Sequence, residues 1–237
     1  MASRSLKTCV QVAEFARVFL LPSAESVVVE NVWKSYGRGW VLQGVSFRLT
    51  SGSSLLIVGP NGCGKTTLLK IIAGLLRPTR GTVLIYGANP NTVEARKLFG
   101  IVLDHPILYR ELTVEENLKL FASLYDVKDY DPNSDEIVEI LGLRRWLKVK
   151  VGELSFGWRK RADIARAMIH RPKLLIVDEP LNGLDSNAAK TVSELLYSHV
   201  SENKGIVLAA SPTEQFLLDW MECGKIVKGK LIIGDEA

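Results

Sequence analysis

A glycine-rich stretch with one lysine and two threonines has the residue types and spacing that bind phosphate. The segment GPNGCGKTT, at Gly59–Thr67, has the form G-x-x-x-x-G-K-[ST]. Glycines in such a loop let backbone N–H groups turn inward around phosphate oxygens. We expect Lys65 to reach the β- and γ-phosphates of a nucleotide and the Thr66 hydroxyl to bind Mg²⁺. The predicted phosphate-binding residues are Gly59, Pro60, Asn61, Gly62, Cys63, Gly64, Lys65, Thr66 and Thr67.

Two adjacent carboxylates follow an apolar run in the segment KLLIVDE, at Lys173–Glu179. Such a run is typical of a parallel strand buried on both faces, and open α/β sheets bind ligands at the carboxyl ends of their strands. We therefore expect Asp178 to hold Mg²⁺ through water and Glu179 to orient or deprotonate an attacking water. The alternative, a pair of solvated turn acids, is disfavoured by the phosphate loop elsewhere in the chain.

Hydrophobic periodicity predicts the elements that position these residues. A buried strand, Ser53–Gly59, leads into the loop, and a helix opens near Lys65 and stops at Gly74. The apolar strand Gly205–Ser211 completes the nucleotide-binding sheet. An antiparallel edge is predicted from two strands, at 26–32 and 45–49, and a last strand at 230–233. A helical block is predicted at about 99–170, with helices at 114–125, 135–141 and 159–168.

Composition sets limits on the class of protein. The chain has 237 residues, of which 47% are hydrophobic, and a formal net charge of +4. This charge is too weak to predict nucleic-acid binding, which would need a concentrated basic stripe. A group of cations at positions 144, 145, 148, 150, 159, 160 and 161 is interpreted as a solvated face, with contact to a partner or an acidic membrane surface as the alternative. Three cysteines without metal or pairing spacing fit a reducing compartment.

The N-terminal segment is apolar but interrupted by charges. No apolar run approaches the roughly 18 residues that would predict a membrane-spanning helix, and a secretory signal is not expected. Residues 1–26 are interpreted as an extension, for which a disordered or misassigned start, a helix that docks on a partner, and contact with a membrane surface are all left open.

The segment LSFGW at Leu154–Trp158, closely followed by LLIVDEP, gives the phosphate loop a family context. With these segments together, the chain resembles the nucleotide-binding domain of the ATP-binding cassette (ABC) family from about Val27 to Ile233. The resemblance implies an α/β fold: a P-loop NTPase (RecA-like) core with a mixed sheet, an antiparallel β edge and an inserted α-helical lobe at about 99–170. The domain is predicted to span residues 27–237.

The resemblance also implies further site residues. Ser155 and Gly157 would contact the γ-phosphate of ATP held by a second subunit, helped by the positive N-terminus of the helix that follows. Tyr36 would stack on adenine, and Asp185 would link the two sites across a dimer. The implied cofactors are ATP and Mg²⁺.

Three features depart from the family pattern. The usual form of the signature is L-S-G-G-Q, so Phe156 and Trp158 are replacements, although Ser155 is kept. Asp104 stands where a glutamine normally reaches Mg²⁺, and a carboxylate can still coordinate that ion. Ser211 stands where a histidine normally touches the γ-phosphate. The loss of one transition-state donor typically costs about 2.7–4 kcal/mol, so Ser211 predicts slow hydrolysis unless another group compensates.

The resemblance predicts the ATPase subunit of an ABC transporter, in which ATP-dependent closure of a dimer drives a separate membrane permease. The expected partners are a second ABC ATPase subunit, in a homo- or heterodimer, and the integral membrane permease, with no nucleic acid. The expected location is cytoplasmic, peripheral on the membrane through the permease. The segment His105–Val127 most resembles an export branch that includes ABC-2 and haem exporters. Two alternatives stay open: a regulatory partner with slow turnover in a heterodimer, and a soluble ABC ATPase outside transport.

Overall fold

A six-stranded sheet forms the centre of the chain. The computed structural model describes residues 26–37, 39–212 and 219–234. The strand order is β5-β6-β7-β3-β8-β9, parallel except for the antiparallel last pair. The strands are β3 (Ser54–Val58), β5 (Phe99–Val102), β6 (Leu174–Asp178), β7 (Ile206–Ser211), β8 (Glu222–Val227) and β9 (Lys230–Ile233).

A separate antiparallel sheet of three strands packs beside the central one. Its order is β2-β1-β4, with β1 at Ser26–Ser35, β2 at Trp40–Thr50 and β4 at Arg80–Ile85. The strand β1 lies in the middle and carries the run SVVV, whose four residues are all buried. This second sheet is the predicted antiparallel edge, extended by β4.

Helices fill the connections between the strands. They are α1 (Lys65–Ile72), α2 (Val93–Arg96), α3 (Val114–Leu124), α4 (Glu136–Ile140), α5 (Phe156–Met168) and α6 (Ser186–Ser201), with 3₁₀ turns at Arg144–Trp146 and Val151–Glu153. The start of α3 is fixed by a capping box, since Thr113 accepts from the Glu116 backbone N–H while the Glu116 carboxylate accepts from the Thr113 N–H. Among the described residues, no helix is both long and apolar enough to cross a bilayer.

The central sheet separates two apolar cores. Side chains alternate across a strand, so Leu55 and Ile57 of β3 join one core, and Leu56 and Val58 join the other. The first core also takes in α1 and the antiparallel sheet, and the second takes in α3, α5 and α6. Burial on both faces explains why the sequences of β3 and β6 are continuously apolar.

The structure differs from the sequence prediction at several elements. The predicted helical block began at about Phe99, but Phe99–Val102 is a buried strand of the central sheet, and the helices begin after it. A four-residue apolar run has no periodicity that separates strand from helix. The strand β8 of the central sheet and the strand β4 of the antiparallel sheet were also missed. The three predicted strands therefore did not complete the central sheet, which also contains β5, β8 and β9. Ser26, counted both in the extension and as the first residue of the predicted strand 26–32, is the first residue of β1, which confirms the strand; the interpretations of residues 1–25 lie outside the described residues.

Candidate functional site

The carboxyl ends of three neighbouring parallel strands bring the predicted residues to one edge of the sheet. In the register of the sheet, Val58 pairs with Ser211, and Asp178 pairs with Ala210. The loop that starts at Gly59, the acid Glu179 and the residue Ser211 therefore lie side by side at this edge. Ser211 is on the middle strand of the three, between the phosphate loop and the acidic pair.

The phosphate loop is shaped around the side chain of Lys65. Its ammonium donates to the carbonyl oxygens of Gly59, at 2.6 Å, and Pro60, at 3.2 Å, and the residue is only 5% exposed. Gly64, which starts α1, has φ +114°, and an added Cβ would lie 3.0 Å from the side chains of Val41 and Leu42. Only glycine fits this position, because an L side chain would be both strained and crowded.

The remaining loop residues differ in exposure. Pro60, Asn61 and Gly62 are exposed at the tip, whereas Cys63 is half-buried with Sγ against the backbone of Gly59. Thr67 is half-buried in the first turn of α1.

Thr66 and Asp178 meet at the centre of the site. The Thr66 hydroxyl donates to Asp178 Oδ2 at 2.6 Å, although 112 residues separate them in the chain. Asp178 is 1% exposed, and burial raises the pKa of its carboxyl, with the hydrogen bond from Thr66 acting in the opposite direction. A hydroxyl and a buried carboxylate form the hard oxygen donor set that suits Mg²⁺.

Glu179 is held in an unusual backbone conformation directly after this carboxylate. Its φ is +49°, in the left-handed region, and its N–H donates to the Ala210 carbonyl at 2.8 Å. Its Oε2 accepts from the Asn182 side-chain amide at 2.9 Å. Strained backbone of this kind is concentrated at functional sites. Asn182 was not predicted as a site residue, because it stands three residues after Glu179 and belongs to no motif that indicates this contact.

Asp104 lies just beyond the end of the neighbouring strand β5. Its side chain is 46% exposed, and its Oδ2 lies 3.9 Å from Nδ1 of the more exposed His105. The Asp104 charge acts electrostatically on Asp178, where it raises the pKa of that carboxyl. The structure therefore places Asp104 close enough to the predicted metal-binding pair to act on it electrostatically.

Lys160 is a second functional candidate that the sequence analysis missed. It was counted in the basic group interpreted as a solvated face, but it is fully buried, and its ammonium donates to the carbonyl oxygens of Asp178 and Leu103. Burial lowers the pKa of this lysine, opposed by the nearby acids. Its position on the inner face of α5 was the available signal, since the helical period that places Ile164 in the core also buries position 160.

The segment LSFGW forms the start of α5 and contacts the loop that follows the acidic pair. Ser155 is the exposed N-cap residue, and its hydroxyl does not cap the helix. An added Cβ on Gly157 would lie 3.0 Å from the Gly183 carbonyl oxygen, and one on Gly183 would lie 2.3 Å from the Phe156 ring. The replacement Phe156 therefore packs on this loop.

Asp185 ends the same loop and begins the next helix. Its Oδ1 accepts from the Ala188 N–H at 2.9 Å, and this bond lowers the pKa of its carboxyl. Its Oδ2 lies 3.6 Å from the Arg161 guanidinium of α5. The side chain thus joins the start of α6 to α5.

Trp158, the other replacement in the segment, faces the helical lobe. Its ring centroid lies 5.1 Å from that of Trp146 and 4.2 Å from the guanidinium carbon of Arg161.

Tyr36 is 60% exposed at the end of β1, with the Lys34 ammonium 5.1 Å from its ring centroid. This contact with Lys34 does not join Tyr36 to the phosphate loop, so its role in stacking stays a prediction.

Comparisons with known proteins agree on one family. The protein-family model described as "ABC transporter" matches residues 42–182, which is more than half of the chain. The uncharacterized ABC transporter ATP-binding protein YdbJ of Bacillus subtilis (strain 168) is 42% identical over 164 residues, 68% of this chain and 53% of YdbJ. The chain thus spans about half the length of that relative.

Two further matches extend over more of both chains. The lantibiotic transport ATP-binding protein SrtF of Streptococcus pyogenes is 32% identical, over 88% of this chain and 90% of SrtF. A solved dimeric structure of the ATP-binding cassette MJ0796, in a post-hydrolysis state bound to ADP and Pi, superposes with a TM-score of 0.77 at 26% identity, over 86% of this chain and 96% of that one. This chain therefore has the fold of proteins that bind ATP, and the fold carries its phosphate loop, acidic pair and LSFGW segment. The chain belongs to the ABC transporter family, as an ATP-binding domain.

Proposed function

We propose that this chain hydrolyses ATP with Mg²⁺ and drives transport through a separate membrane permease, from a peripheral position on the cytoplasmic face. The bond between Thr66 and Asp178 carries the proposal, because it joins the phosphate loop to the acidic strand end. Transport is supported by SrtF, which matches over 90% of its length, and hydrolysis by the cassette bound to ADP and Pi.

Each residue of the site has a role in the proposed reaction. Lys65 and the loop amides bind the phosphates, while Thr66, directly, and Asp178, through water, would hold Mg²⁺, which would supply neutralisation of charge on the phosphoryl oxygens. Glu179 orients the attacking water and accepts its proton. Asp104 adds an oxygen ligand near the metal, and Ser211 donates a hydrogen bond toward the γ-phosphate. Tyr36 stacks on the adenine.

A second copy of the cassette completes each site in this proposal. Ser155 is exposed and Gly157 half-buried at the start of α5, where backbone N–H groups and the helix dipole favour an anion. They would contact the γ-phosphate of ATP bound to a second subunit, and Asp185 would link the two sites. The second subunit is either another copy of this chain or a related cassette.

Hydrolysis by the purified chain tests the proposal. We expect Mg²⁺-dependent turnover that rises more steeply than linearly with protein concentration, because two subunits form each site. Glu179→Gln should abolish turnover and retain an ATP-bound dimer on gel filtration, and Lys65→Ala should lose ATP binding. Turnover that persists in Glu179→Gln would reject the role of Glu179. ATP affinity unchanged by Lys65→Ala would reject the phosphate-loop assignment.

A further inference from the structure

The side chain of Lys160 reaches from α5 to two strand ends beneath the candidate site. Its ammonium donates to the Asp178 carbonyl at 2.9 Å and to the Leu103 carbonyl at 3.2 Å, and the residue is 0% exposed. Each carbonyl belongs to the residue directly before a predicted site residue, Glu179 in one case and Asp104 in the other. One side chain therefore links the signature helix to the two segments that carry these acids.

The peptide group between Asp178 and Glu179 is held on both sides. Its carbonyl accepts from Lys160, and its N–H donates to the Ala210 carbonyl at 2.8 Å. A peptide group is planar, so fixing both polar atoms fixes the orientation of the whole unit. Glu179, which follows it, has φ +49°, a conformation that a non-glycine residue keeps only when its surroundings enforce it.

The pattern of bonds distinguishes Lys160 from the other buried cation of α5. Arg166 is bonded to a carboxylate, that of Asp163, at 2.8 Å, as well as to the Ile101 carbonyl. Both hydrogen bonds given for Lys160 go to main-chain carbonyls at the strand ends. Burying a lysine is unfavourable compared with an apolar side chain of equal length, so a role in filling the core alone does not account for this residue type.

We propose that Lys160 is a positioning residue that holds the Asp178–Glu179 peptide, and with it the Glu179 carboxylate, in the orientation needed for attack on ATP. The inference rests on the proposed role of Glu179. The hydrogen bond from Lys160 to the Asp178 carbonyl comes from α5. The first turn of this helix is the segment proposed to contact the second subunit. A shift of that helix would therefore be transmitted to Glu179 through one side chain.

The test uses Lys160→Met, which keeps an unbranched side chain only one atom shorter than lysine but removes its donors. We expect kcat to fall about 10- to 100-fold, the range typical of misplaced catalytic groups, because Glu179 is no longer held in place. The KM for ATP should stay within about twofold, since the hydrogen bonds of Lys160 go to the Asp178 and Leu103 carbonyls and not to the phosphate loop. Lys160→Gln, which keeps amide donors on a side chain one bond shorter, should recover part of the loss in kcat.

His170→Leu is the matched control. His170, just beyond the end of α5, bonds the Phe99 carbonyl at 3.1 Å, so its loss removes another bond to β5 far from the site. It should lower the melting temperature without the fall in kcat. If His170→Leu and Lys160→Met lower kcat in proportion to their loss of stability, the positioning role is rejected.

Two measurements separate this inference from the proposed function. The residual single-turnover rate of ATP cleavage in Glu179→Gln should not fall further when Lys160→Met is added, because both changes act through one carboxylate; an undiminished additional loss of that rate overturns the inference. Hydrogen exchange at the Glu179 amide, measured without nucleotide, should quicken in Lys160→Met and stay unchanged in His170→Leu. Unchanged exchange in Lys160→Met overturns the inference even if Glu179 proves catalytic. If hydrogen exchange is faster in Lys160→Met but ATP turnover does not depend on Glu179, only the proposed function is rejected.

Discussion

The Thr66 hydroxyl donates a hydrogen bond to Asp178 Oδ2 at 2.6 Å. This bond joins the first turn of the helix after the phosphate loop to the end of the acidic strand. Both groups have oxygen atoms that could act as ligands of the proposed Mg²⁺, and the hydrogen bond between them fixes their relative orientation.

Loss of the Thr66 hydroxyl should weaken Mg²⁺ binding. Thr66→Val keeps the shape of the side chain but removes the oxygen, and we expect the Mg²⁺ concentration for half-maximal ATPase to rise by about 10-fold or more. A Mg²⁺ titration at fixed ATP measures this. Thr66→Ser keeps the hydroxyl and should shift the midpoint much less. Equal midpoints for Thr66→Val and the unchanged chain would show that the metal is held elsewhere.

Ser211→His should raise turnover. Ser211 pairs with Val58 at the end of the middle strand, beside the phosphate loop, and an imidazole there would be a longer donor than the hydroxyl toward the proposed γ-phosphate position. One added transition-state donor is worth up to roughly 10²-fold in kcat. Single-turnover and steady-state rates measure the change, with Ser211→Gln as a control of similar size. If neither variant is faster than the unchanged chain, the γ-phosphate is served from another position.

Gly183→Ala should disturb the contact between the signature segment and the following loop. Gly183 has φ +74°, and an added Cβ would lie 2.3 Å from the Phe156 ring. Left-handed backbone and overpacking each cost about 1–2 kcal/mol, so we expect the melting temperature to fall by about 5 °C or more. Thermal unfolding measures this.

The double variant Gly183→Ala/Phe156→Ala isolates the clash. Removing the ring should relieve the steric part of the cost and leave the backbone part, so the double variant should be less destabilised than the sum of the single variants. Strict additivity would mean that Phe156 does not pack on Gly183.

His170 should make stability depend on pH in the acid range. Burial, with a smaller effect of Arg166, lowers the pKa of His170 to about 4 from 6.5. The ring stacks on Tyr125 at 3.8 Å, and Nε2 donates to the Phe99 carbonyl, which leaves Nδ1 buried without a partner among the described residues. The neutral ring is therefore the form that fits the fold.

The sign follows from proton binding. Between pH 6.5 and about 4 the unfolded chain binds the His170 proton and the folded chain does not, so the free energy of unfolding falls as the pH falls. The full loss is about 3 kcal/mol. Denaturant unfolding from pH 7 to pH 4 measures it, and His170→Leu should flatten the profile. A profile of equal slope in that variant would assign the effect to other groups, such as His199, whose pKa is also lowered by burial.

Local patterns predicted the residues that lie within one short segment. The strand β3, the start of α1 at Lys65 and the end of β6 at Asp178 all agree with the sequence expectation, because a wholly apolar run followed by a glycine loop or by acids has one structural interpretation in an open α/β sheet. The family resemblance rested on the same short segments, and the comparisons confirm it. The roles given to the individual site residues remain predictions.

The tertiary structure decided which distant residues meet. The 112-residue separation of Thr66 and Asp178, and the burial of Lys160 within a basic-looking segment, depend on the order of strands in the sheet and on how α5 packs beneath it. The strands β4, β5 and β8 were missed because a short strand is stabilised by its neighbours, which the local sequence does not contain. The sequence alone thus determined the chemical groups and the family, through local patterns of residue type. The fold alone decided that Lys160, Leu103 and Asp178 are bonded, because hydrogen bonds between elements arise only when the sheet brings the strand ends together.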